Sequence, residues 1–124
     1  GYLDGVKNIH EVLQESIDIE YRNLQDGKIS PSEYIIITEV TSSQVTTQIS
    51  EFVTSKPSEK WQESYISYMN GMKKFNEYII ETKVLANQIE NESTDAEILE
   101  TVNKIQAIKL ESIEHIKKSN ELRP

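Results

Sequence analysis

The chain has 124 residues, enough for one domain with its own core, and its 36% apolar and 27% charged residues strike a globular balance. Acids outnumber bases 21 to 13, giving a net charge of −8. The clustered basic surface that nucleic acid or an anionic membrane requires is therefore missing, and both are excluded as partners. Cysteine is absent, which removes disulfides, thiolate metal sites and a cysteine nucleophile.

Leu3, Val6, His10, Leu13, Ile17, Tyr21 and Leu24 recur at spacings of three and four, predicting a first helix over about 2–25. Ile9 and Val12 are expected to widen its buried stripe. Asp26-Gly27 supplies a stop, because glycine accepts the left-handed conformation that ends helices. Ser30-Pro31-Ser32-Glu33 then combines a capping serine, a proline suited to the first helical position and a glutamate that can reach back. Helix 2 is predicted over 31–54. Its Thr, Ser, Val and Ile favour strands, yet Tyr34, Thr38, Thr41, Val45 and Phe52 keep helical spacing and no glycine or proline interrupts them.

Pro57-Ser58-Glu59 opens helix 3, predicted over 57–90. Trp61, Tyr65, Tyr68, Met72, Phe75, Ile79, Thr82, Ala86 and Ile89 alternate spacings of four and three, a heptad seam. The seam passes through Asn70-Gly71 without losing phase, so the expectation is one continuous helix. Its predicted length of about 51 Å requires it to extend past its neighbours or to bend at Gly71. Thr94-Asp95-Ala96-Glu97 is a second capping box. Helix 4 is predicted over 95–119, with Ile98, Val102, Ile105, Ile108, Ile113 and Ile116 on its apolar side. Short links force successive helices antiparallel. The predicted fold is all-α: one domain over 1–124, an up-down-up-down four-helix bundle with an extended or bent third helix. The apolar run Ile35-Ile36-Ile37 falls far short of a membrane span.

Dinuclear metal bundles use a glutamate three residues before each of two inward histidines. Here Lys7 precedes His10 and Ser112 precedes His115, so no metal site and no cofactor are expected. Glu111 and His115 lie one turn apart and read as a surface pair. Phosphate-binding glycine loops, nucleophile elbows and zinc-helix motifs are missing, so no catalytic residue is assigned and a non-enzymatic role is expected. His10 stands on the apolar stripe of helix 1, either as a buried imidazole bonded to a tyrosine or carbonyl, or as a group titrating near neutrality. The rings of helix 3 fill the core with their polar tips at the rim, or else they line an amphipathic pocket between helices. Tyr34, Trp61, Tyr65, Tyr68 and His10 are the candidate ligand or partner surface.

Two functions are consistent with these features. One is an extracytoplasmic binding or sensing domain for a small molecule. The other is a helical interaction or structural module that dimerises or holds a protein partner. The opening Gly1-Tyr2-Leu3, without methionine, leads to the expectation of an upstream signal peptide or membrane anchor.

Overall fold

The computed structural model describes residues 1–124 as four α-helices without strands: α1 Tyr2–Gln25, α2 Pro31–Thr54, α3 Gln62–Glu90 and α4 Asp95–Glu121. The capping chemistry acts where the sequence places it. The Ser30 hydroxyl accepts the Glu33 N–H at 3.2 Å, and Thr94 accepts that of Glu97 at 3.2 Å. Gly27 takes φ +71°, and the Lys28 N–H closes onto the Asn23 carbonyl at 2.8 Å, ending α1 in a Schellman motif. The same closure ends α3, Ser93 onto Gln88 at 2.9 Å, but there Glu92 rather than a glycine holds the positive φ of 53°. In α2 the hydroxyls of Thr38, Thr41, Thr47 and Thr54 donate back to carbonyls three or four residues earlier. That back-bonding satisfies polar groups which would otherwise compete with the helix.

The start predicted for helix 3 is corrected. Ser58 gives no side-chain cap, and Glu59–Trp61 wind as a 3₁₀ turn closed by Trp61 N–H on the Ser58 carbonyl at 2.9 Å. The α-helix proper begins at Gln62 and has 29 residues, about 44 Å rather than 51. It remains the longest of the four.

α3 is the hub: it packs most closely on α4, then on α2, and also touches α1. The backbones of α1 and α4 never come within 8 Å, Cα to Cα. Side chains bridge that edge instead, Lys109 to Asp18 at 3.2 Å and Arg123 to Asp4 at 2.9 Å. Gly71 owes its place to the α3–α4 contact, since a Cβ there would stand 2.6 Å from Ile116 Cγ1 and 3.3 Å from the Ser112 carbonyl.

Two apolar stripes are also corrected. Ile9 and Val12 are 55% and 66% exposed, because α1 leans only on α2 and α3 and buries a single seam. On α4, Ile113 is exposed while Ser112 and Ser119 are buried. The tight α3–α4 approach admits small side chains and turns a branched one outward.

Candidate functional site

Up-down-up-down order brings the start of α1, the end of α2, the start of α3 and the end of α4 to one end of the bundle. Each contributes a ring or a charge there. Phe52 packs on Tyr65 with centroids 4.9 Å apart, Tyr2 lies 5.9 Å from Phe52 and 6.2 Å from Tyr65, and Trp61 meets Tyr65 edge-on at 6.4 Å. Beneath them Leu3, Val6, Phe52, Tyr68 and Met72 form a buried cluster. Trp61 and Tyr65 stay half-buried, the exposure expected of rings at a bundle rim.

Two clefts open here, divided by Tyr65 and Pro57. One, of about 410 Å³, is walled chiefly by Tyr2, Asp4, Ser58, Trp61, Tyr65 and Arg123. The other, of about 370 Å³, is more aliphatic, with Val53, Ile66 and Met69 in its wall. Both lie within the usual size of small-molecule sites, roughly 300–1,000 Å³. In the first, the Arg123 guanidinium lies 6.0 Å from the centre of the indole ring, within cation–π range. One of its nitrogens donates to Asp4, while Nε and Nη2 are shielded from solvent without a protein partner. The hydrogen bond and charge of Arg123 lower the Asp4 carboxyl below its ordinary range, so the pair stays ionised. Burial, then the charge of Glu51, raises the Tyr2 phenol.

The five candidates do not form one surface. Trp61 and Tyr65 line the cleft. Tyr68 sits one turn deeper, 1% exposed, with its hydroxyl 2.9 Å from His10 Nδ1. His10 is 2% exposed and leans on Phe75 at 4.7 Å. Its Nε2 is buried without a partner. If Tyr68 donates to Nδ1, the Nε2 proton is orphaned. If Nδ1 donates, Nε2 and the phenol proton are both orphaned. Burial pushes the imidazole down to about 4, so the ring is neutral and does not titrate near pH 7. Tyr34 is corrected as a member of the set. It is fully buried and donates to Thr82 at 2.8 Å, about 30 Å along α3 from Gln62.

Tyr2 and Arg123 escape sequence reasoning. Their only signal is topological, since an even number of antiparallel helices returns both chain ends to the same end. No three His, Cys, Asp or Glu side chains converge as a metal site would require. Glu111 pairs with Lys74 at 2.9 Å rather than with His115. No helix is long and apolar enough to cross a membrane. Fold and site together define an antiparallel four-helix bundle with an aromatic cleft at one end. No protein-family model, curated protein or solved structure gives a significant match to the chain.

Proposed function

We propose that this bundle is a non-catalytic binding or sensing domain, working outside the cytoplasm, that holds a small organic ligand in the cleft beside Trp61. The observation that supports it most is the pairing of a half-buried indole with a guanidinium whose Nε and Nη2 find no acceptor in the protein. Aromatic walls take an apolar body, and the Asp4–Arg123 pair fixes a polar end. A ligand acid can exchange with Asp4 on Arg123, because a guanidinium recognises carboxylates through several donors.

Anilinonaphthalene sulfonate, an anionic aromatic dye, tests the site. The expected result is one saturable site per chain with energy transfer from Trp61, the single tryptophan. Tyr65→Ala and Arg123→Gln should each weaken binding at least tenfold, with the helical circular-dichroism signal unchanged. Absence of saturable binding, or binding indifferent to both substitutions, would overturn the proposal.

A further inference from the structure

Surface helices of an acidic protein ordinarily carry charge outward, and α2 does not. Its 24 residues include three glutamates and neither lysine nor arginine. Glu39 is neutralised by Lys83 of α3 at 3.2 Å, and Glu33 sits in the first turn, where the helix dipole favours an anion. The outward seam at spacings of three and four reads Ile36, Val40, Ser43, Thr47 and Thr54. On α3, Ile80 lies in the same α2–α3 groove as Ser43 and Thr47, Val84 follows one turn along, and Ile66 faces Val53 at the far end of the groove. The aliphatic members of this face, Ile36, Val40, Val53, Ile66, Ile80 and Val84, are 37–62% exposed. A contiguous patch of that kind marks an interaction surface.

We infer that a second copy of this chain docks on this face, α2 against α2 across a twofold axis. Charge selects that occupant. The chain carries −8, and 18 of its 21 acids lie outside α2, so two copies repel almost anywhere else they meet. The α2 face lets like meet like without acid opposing acid, and an isologous interface needs a self-complementary patch of this kind. Small Ser43 and Thr47 at the middle allow close approach, while the aliphatic side chains lie toward both ends and meet in either orientation. The area is sufficient. A helix of about 36 Å, flanked by a neighbour about 9 Å away, offers a strip of roughly 700 Å² per copy, close to the ~800 Å² of a standard interface. This inference is independent of the cleft, whose aromatic side the dimer leaves open.

Sedimentation equilibrium of the intact chain tests it, with Val40→Glu and Leu110→Glu as the variants. Both positions are solvent-exposed, on α2 and α4 respectively, so neither substitution threatens folding. A reversible dimer is expected that tightens as salt screens the remaining acids. Val40→Glu, which brings two new acids face to face, should weaken it at least tenfold, and Leu110→Glu should leave it within twofold. A chain that stays monomeric at every concentration and salt would overturn the inference. A dimer that ignores Val40→Glu, or one that Leu110→Glu disrupts equally, would overturn it too.

Discussion

Toward α4, α3 presents Ser64, Ser67 and Gly71; toward α1 and α2 it presents Tyr68, Met72, Phe75 and Ile79. The first side is polar and fully paired. Ser64 Oγ donates to the Ser119 carbonyl at 2.8 Å and Ser119 Oγ to that of Ser64 at 2.7 Å, while Ser67 bonds the His115 carbonyl and Ser112 that of Gly71, each at 2.8 Å. The second side is made of large apolar groups and rings, yet it contains the imidazole nitrogen without a partner. Polarity by itself is thus not what strains this core. A buried hydroxyl that reaches a carbonyl costs little, whereas one unpaired nitrogen carries its whole desolvation penalty.

The contrast predicts where stability resides. Ile79 is completely buried within the larger cluster, among Val45, Phe75 and Ile105. Ile79→Ala should cost roughly 4 kcal/mol, toward the upper end of the range for large-to-small changes, because surrounding rings cannot collapse into the void. Urea denaturation measures it. A loss below that of any serine on the opposite seam would reverse the comparison.

That apolar side was legible in the sequence, and the polar side was not. Tyr68, Met72, Phe75, Ile79 and Thr82 stand at the spacing a heptad seam demands, and all are buried. The α4 stripe read from isoleucines alone goes astray at Ile113, because hydropathy ranks Ser112 and Ser119 as surface residues. Nothing local announces that Gly71 permits a backbone approach which only small side chains survive. The cleft divides in the same way. Trp61 and Tyr65 follow from their places at the start of the seam, but the bond between Arg123 and Asp4 spans 119 positions. Only the assembled topology creates it.

The orphaned nitrogen sharpens the comparison through pH. The imidazole titrates at 6.5 when unfolded and at about 4 when folded, so between those values the unfolded chain binds more protons. Stability from this group is therefore complete above pH 6.5 and lost as pH falls toward 4. The 2.5-unit difference corresponds to about 3 kcal/mol. His10→Asn keeps an acceptor near Tyr68 but cannot take a proton in this range. Urea midpoints of the two proteins at intervals from pH 7 to pH 4 isolate the histidine from the carboxylates, whose contribution both share. The wild type should lose about 3 kcal/mol more than the variant over that span. Parallel curves would mean that the ring finds a partner as it charges.

The smallest effect concerns the paired hydroxyls, and it tests whether the polar seam stabilises or only sets a spacing. Ser64 and Ser119 are both fully buried, and their Oγ atoms lie 3.1 Å apart. Ser64→Ala removes one donor, but the carbonyl it served belongs to a helix terminus, so little beyond the hydrogen bond itself is lost. About 1 kcal/mol is expected, and the same from Ser119→Ala. The double variant replaces two facing hydroxyls by hydrogens while leaving both Cβ atoms in place. Its cost should fall short of the sum by roughly 0.5 kcal/mol or more, since contacting residues in one network couple. Strict additivity would show that the two hydroxyls act independently despite their contact. A double variant as stable as the wild type would show that close approach, not hydrogen bonding, is what this face of α3 contributes.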